Sequence, residues 1–168
     1  MGGAAGRRRP DARVIELRRV IALAAAPSAV WRRLWDVPRL AACIPGCDGV
    51  ETLEAERRYR ATIRDRVGPF RLAIPLDVQV EATAPIRLVV DASGRDGVLG
   101  SPVTVHLTVT LEAGAAGGTR VALVGQADVG GKLAALGQGV IERKTRETLD
   151  RFATNLATLF EGGDAAAV

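Results

Sequence analysis

The stretch Lys132–Phe160, "KLAALGQGVIERKTRETLDRFATNLATLF", decides how the rest of the chain is read. Leu133, Leu136, Val140, Ile141, Leu149, Phe152, Leu156 and Leu159 fall along one stripe at helical spacing. The opposite side carries Glu142 with Arg146 and Glu147 with Arg151, spaced to pair across one turn. The spacing predicts a single amphipathic helix. At about 1.5 Å per residue it spans roughly 40 Å, more than one packing contact needs, so it is expected to lie across a whole concave sheet. Gly137 and Gly139 near its start each cost about 1 kcal/mol relative to Ala, which calls for a reason. Close packing of helix on sheet is one, and room beside Leu136 and Val140 for a bound molecule is another.

The sheet under that helix is legible upstream. Tyr59, Ala61, Ile63 and Val67 alternate with Arg58, Arg60, Thr62, Arg64 and Arg66, the period of a half-buried strand. After Gly68-Pro69 the parity inverts, and Phe70, Leu72, Ile74, Leu76, Val78 and Val80 become the apolar set. A hairpin with Val67 opposite Phe70 places Arg60 against Asp77 outside and Ile63 against Ile74 inside, so the two apolar faces coincide. Pro75 interrupts this pattern and predicts a bulge or bend. Ile86–Ala92, Val103–Leu111 and Thr119–Val129 extend the meander through "GRDGVLGS" and "AGAAGG", with His106 on an outward face. Ahead of the hairpin, Val14–Leu23 reads as a strand running into a helix at Pro27, which explains these letters better than an export signal. Val30, Trp31, Leu34 and Trp35 keep helical spacing, the pattern pauses at Val37-Pro38, and it resumes through Leu40 and Ile44 until Pro45-Gly46 ends it.

A strand, two short helices, a curved antiparallel sheet of about seven strands and a long closing helix make an α+β helix-grip plan, whose sheet and helix bound a cavity. The expected boundaries are a flexible basic tail at 1–12, a single domain at 13–161 and a flexible tail at 162–168. The expected cavity lining is Trp31 from the first helix, Ile44, Pro45 and Gly46 from the turn, and Ile63, Leu72, Ile74, Leu76, Val90, Val105 and Leu107 from the strands. Leu133, Leu136, Gly137, Val140 and Ile141 join it from the closing helix.

Composition narrows the function. A chain of 168 residues, 48% hydrophobic and 25% charged, with no run of 18 apolar residues, is a soluble globular domain rather than a disordered or membrane-spanning one. The net charge of +4 favours contact with anionic surfaces, although part of it sits in the opening "MGGAAGRRRPDAR". Arg58, Arg60, Arg64, Arg66 and Arg71 form an outer ladder, read as a solvated, partly paired face, with docking to an acidic partner or anionic lipid as the functional alternative. Nucleic-acid binding is excluded, since no stacking aromatics or groove-reading motif accompany the charge. "CIPGCDGVE", Cys43–Glu51, holds both cysteines. Two thiols and one His are too few for a zinc site, so the segment reads as a hinge at the cavity mouth with structural thiols and no metal. Unpaired cysteines without an export signal place the protein in a reducing, cytoplasmic compartment. The one inner-face carboxylate is Asp65, and no Ser-His-Asp or paired-carboxylate set accompanies it, so no catalytic residue is assigned.

"VW" in the first helix, "ACIPGC" before an acidic strand start, "VGP" at the hairpin tip and "VGGKLAALGQGVIE" opening the last helix resemble the carbon monoxide dehydrogenase G-subunit family. That family is a branch of the START-like (SRPBCC) helix-grip superfamily, and the likeness runs from about Ile15 to Phe160. By position, Ile44, Pro45 and Gly46 match its "IPG" turn, Gly68 and Pro69 its hairpin, and Gly130, Gly131, Lys132, Leu133 and Gly137 its helix-opening motif. The resemblance implies a non-catalytic accessory of a molybdenum hydroxylase of the carbon monoxide dehydrogenase type. It also implies recruitment to the inner face of the membrane or the quinone pool, and a hydrophobic quinone- or lipid-like small molecule in place of a cofactor. The alternative within the superfamily is a polyketide cyclase or aromatase-like enzyme acting on a hydrophobic substrate in the same cavity. Many members continue into a membrane-anchoring segment, whereas this sequence ends at "EGGDAAAV", so no anchor of its own is expected. The segment Gly94–Pro102 is also shorter than the family pattern.

Overall fold

Alternating apolar residues build the sheet, and its register follows from them. In the computed structural model, which describes residues 12–162, β1 (Arg13–Leu23) leads into α1 (Pro27–Leu34) and α2 (Val37–Ala42). There follow β2 (Cys47–Glu54), β3 (Arg58–Val67), β4 (Phe70–Thr83), β5 (Arg87–Arg95), β6 (Pro102–Ala113) and β7 (Thr119–Val129), then α3 (Gly131–Ala134) and α4 (Gln138–Gly162). The expected tails at 1–12 and 162–168 lie outside the described residues but for their innermost members. The strands form one antiparallel seven-stranded sheet in the order β1-β7-β6-β5-β4-β3-β2. Val67 pairs with Phe70, Ile63 with Ile74 and Arg60 with Asp77, as the two apolar faces require.

The sheet is wrapped around α4. Arg19 on β1 pairs with Asp150 of the helix at 2.5 Å, and Asp65 on β3 pairs with Lys144 of the same helix at 2.9 Å. Four strands separate β1 from β3 in the sheet, so one rod of roughly 10 Å diameter reaches both only if the sheet curls about it. A flat sheet places strands β1 and β3 about 24 Å apart. The fold is therefore an α+β grip, an open curved sheet closed by a long C-terminal helix.

The interior divides into two packed clusters. At one end Ile21, Leu23, Val30, Leu34, Leu88, Leu111, Val121, Leu156 and Phe160 are buried together, with Trp31 and Trp35 packed against them. At the other end Ile15, Leu17, Val67, Leu72, Ile74, Val129, Leu133 and Ile141 form the second cluster. Leu107 packs against both. Each fully buried aliphatic side chain contributes about 1.5–3 kcal/mol, so both ends are held firmly.

Three expectations are corrected. The last helix is broken: α3 ends at Ala134, the chain turns at Gly137, and α4 begins at Gln138. Gly137 has φ +98°, and a Cβ there would meet nothing within 4 Å, so the residue is present for its left-handed backbone rather than for close packing. Of the bulge or bend expected at Pro75, the bulge is absent, because the β3–β4 register runs through it without a shift. Instead the β4–β5 ladder begins one residue later, at Leu76, where the missing N–H costs nothing. Beyond it the edge of β4 is covered by the β5–β6 loop, Ala73 N–H donating to Asp96 Oδ1 at 3.0 Å and Gly97 N–H to Ala73 O at 3.0 Å. Finally, Glu142 accepts from the Gln138 side chain at 2.9 Å rather than pairing with Arg146.

Candidate functional site

Between the clusters the inner face of the sheet is only partly buried. Ile63, Leu76, Val78, Val80, Val90, Val105 and Leu107 share the parity of the buried Leu72, Ile74, Leu88 and Val109, yet each is only partly buried. Ile63, Val78 and Val90 belong to neither cluster. Inward-facing aliphatics that their own fold leaves partly uncovered form a natural seat for an apolar guest.

A closed ring of covalent and hydrogen-bonded links borders this strip on the side of α2, β2 and β3. The turn Ile44-Pro45-Gly46 follows α2, and Gly46 O accepts the Arg64 N–H of β3 at 2.8 Å. Gly46 has φ +79°, and a Cβ would lie 2.2 Å from Arg64 O, so only glycine lets the turn press against the strand. The next strand residue, Asp65, carries the ion pair to Lys144, with both side chains 27% exposed. Along α4, Lys144, Thr148, Phe152 and Asn155 succeed one another at intervals of four, four and three, a single helix face. Asn155 Nδ2 then donates to Cys43 O at 3.0 Å, which returns the ring to its start. The two helix anchors stand about 16 Å apart at 1.5 Å rise per residue. Inside the ring, Ile44, Pro45, Thr148 and Phe152 are partly buried.

The expected lining residues are distributed unevenly around this interior. Ile63 and Val90 lie on the partly buried strip, and Leu76, Val105, Leu107 and Leu136 are partly buried beside the second cluster. Leu72, Ile74, Leu133 and Ile141 are buried within that cluster. Trp31 packs on the first cluster, edge-on to Trp35 with ring centroids 5.8 Å apart. Ile44, Pro45 and Gly46 form the rim. Val140 is 37% exposed on the first turn of α4, and Gly137 sits at the helix break. Sequence reasoning missed Lys144, Thr148 and Asn155, which lie off the apolar stripe of the last helix. The signal was their shared spacing with Phe152.

The thiols are structural in their surroundings. Cys43 is buried, donates to Arg39 O at 3.6 Å, and burial pushes its pKa up. Cys47, opposite Ile63 in the β2–β3 ladder, is likewise raised, first by burial and then by the neighbouring Asp48 charge. A raised thiol is a poor nucleophile at neutral pH. Both cysteines are free. Among the described residues no group of three or more His, Cys, Asp or Glu side chains is arranged to hold a metal ion, and no helix is long and apolar enough to cross a membrane.

Two further concavities are present. A groove of about 360 Å³ on the outer face is lined by Asp77, Asp91, Asp128, His106 and their polar neighbours, with His106 Nδ1 2.5 Å from Asp91 Oδ1. A cleft of about 440 Å³ lies between Arg39, Cys43, Asn155 and Leu159. Of the expected lining residues, only Val105 borders either one.

A curled antiparallel sheet gripping a C-terminal helix, with an apolar strip between them, defines a START-like domain. The fold matches a conserved protein from Geobacillus kaustophilus with a TM-score of 0.78 at 21% identity, covering 88% of this chain and 96% of that one. It also matches a START superfamily protein from Mycobacterium smegmatis with a TM-score of 0.66 at 13% identity, covering 87% and 97%. The sequence itself goes further: residues 21–160 match the carbon monoxide dehydrogenase G-subunit (CoxG) family, and the chain belongs to that family. None of the curated proteins matches it.

Proposed function

We propose that the protein is a non-catalytic accessory that binds one hydrophobic, quinone- or lipid-like molecule between its sheet and α4, in the service of a molybdenum hydroxylase of the carbon monoxide dehydrogenase type. The observation that carries this reading is the strip of Ile63, Leu76, Val78, Val90, Val105 and Leu107, which faces inward and is only partly buried in a chain of the CoxG family. Burial of that surface by a guest is worth about 25 cal/mol per Å² before the losses of association are counted.

The enzyme alternative lacks support in the site chemistry. A cyclase-like reaction needs a general acid or base assisted by a second catalytic group, and Asp65, the inner-face carboxylate, is instead held in an ion pair with Lys144. Contact with the membrane is peripheral on this reading. The charge for it comes from the hairpin tip, where Arg66 and Arg71 face one another, since Arg60 and Arg64 are already paired with Asp77 and Asp48.

The test is to extract the purified protein with organic solvent, identify the extract by mass spectrometry, and titrate the stripped protein with quinones and lipids. Stoichiometric uptake is expected, and a protein that neither carries nor takes up any of them is not a carrier. Affinity capture from cells expressing the hydroxylase should recover that enzyme.

A further inference from the structure

Resting on the carrier reading, we propose that Lys144 and Asp65 recognise the polar end of the guest, and that they select a neutral oxygen head, a carbonyl or a hydroxyl, over a carboxylate or an amine. Four observations converge on this pair. It stands on the ring bordering the apolar strip, and Asp65 lies on the same face of β3 as Ile63, two residues away. Both side chains are largely withdrawn from water at 27% exposure, so an added partner there is weakly screened.

The pair also has donors and an acceptor unspent, whereas its threonine neighbours on the helix have spent their one donor each. Thr145 and Thr148 return their hydroxyls to Ile141 O at 2.9 Å and Lys144 O at 3.0 Å. Lys144 carries three N–H donors, and its ammonium stands 2.9 Å from Asp65 Oδ1 as an ion pair. That same oxygen accepts the Arg66 N–H at 2.7 Å, so both contacts fall on Oδ1 and Oδ2 is left to accept. A carbonyl takes a proton from the ammonium, and a hydroxyl takes one and gives one to Oδ2.

Charge completes the selection. The pair is neutral as a unit. A carboxylate brought to Lys144 meets the Asp65 charge within the same few ångströms, and an ammonium brought to Asp65 meets Lys144, so each loses to repulsion what it gains by attraction. Removal of either member leaves one uncompensated charge and should invert the preference.

The experiment uses three ligands with one chain, decan-1-ol, decanoate and decylammonium, displacing the neutral fluorophore N-phenyl-1-naphthylamine from the full-length protein at low ionic strength. The wild type should bind decan-1-ol about tenfold tighter than either ion. Asp65→Asn should move the preference to decanoate and Lys144→Met to decylammonium, each by about tenfold, while the exchanged pair Asp65→Lys with Lys144→Asp should return it to the alcohol. Asn retains an acceptor for the Arg66 N–H, and Met retains the aliphatic stem of Lys. An unchanged ranking across the wild type and both single variants, with fluorophore and decyl compounds still bound, overturns the head-group assignment and leaves the carrier intact. A wild type that takes up neither the fluorophore nor any decyl compound overturns both.

Discussion

At the scale of single residues, the glycine of the "IPG" turn is the clearest case of a letter whose reason lies in space rather than in sequence. Pro45-Gly46 reads as the end of a helix, and so it is, yet the reason for glycine is double: a φ of +79° and a backbone carbonyl 2.2 Å from where Cβ would stand. Gly49 is a natural control, since its φ of +89° is as demanding and nothing lies within 4 Å of its Cβ position. Gly49→Ala should cost about 1–2 kcal/mol, the price of a left-handed alanine. Gly46→Ala adds a backbone clash and should cost about 3 kcal/mol or more, with chemical denaturation as the measurement. Equal losses would mean that the turn does not press on β3. The position of this glycine was legible as punctuation, but Arg64, which makes it indispensable, is far along the chain and bears no mark of the contact. Lys144 was illegible for a related reason, because a lysine among charged neighbours on a helix reads as solvated until its partner is placed across from it.

At the scale of elements, the register of the β3–β4 hairpin was readable to the residue, strand ends only to within about three residues, and the last helix was not. Alternation reports directly on which face is buried, so the β3–β4 register follows from matching two apolar sets. Helical periodicity carries no such check on continuity: Leu133 and Leu136 of the segment around α3 continue the stripe of α4 although the backbone turns between them. Gly137 and Gly139 look alike in the sequence but play opposite parts. Gly137 holds φ +98° at the break, whereas Gly139 lies exposed within α4 with nothing within 4 Å of its Cβ position. Gly137→Ala should therefore destabilise by about 1–2 kcal/mol and Gly139→Ala should stabilise by about 0.5–1 kcal/mol. Thermal melts of the two variants should move in opposite directions, and a shift of the same sign would argue that one helix runs through both. The β5–β6 loop hid a second device. Asp96, 1% exposed, accepts from the N–H groups of Ala73, Val98 and Leu99, and Ser101 Oγ accepts from Leu133 N–H at 3.0 Å, tying that loop to α3. "GRDGVLGS" announces a turn but not which of its polar residues is inside.

At the scale of the whole molecule, an interior divided by a partly buried strip raises the question of whether the two clusters are one folding unit. The connectivity says they are. β1 gives Ile15 and Leu17 to one cluster and Ile21 and Leu23 to the other, β7 divides Val129 and Val121 in the same way, and α4 does so with Ile141 and Leu156. Leu107 touches both, at the middle of β6 where Val90 pairs with it from β5. Leu107→Ala should cost about 2–3 kcal/mol, less than a fully buried leucine because its surroundings are already loose, and should lower the melting temperature by roughly 5–10 °C. Trp31 and Trp35 report on one cluster only, so tryptophan fluorescence follows that end while far-ultraviolet circular dichroism follows the whole sheet. The two midpoints should coincide in the wild type and stay coincident in Leu107→Ala, since three long elements still cross the strip. Separated midpoints would mean that the ends unfold independently, and the space between them would then be a seam rather than a seat. Coincident midpoints that rise together when an apolar guest is added, with a larger rise in Leu107→Ala than in the wild type, are what a guest filling the strip should produce, because it then replaces contacts the leucine no longer makes.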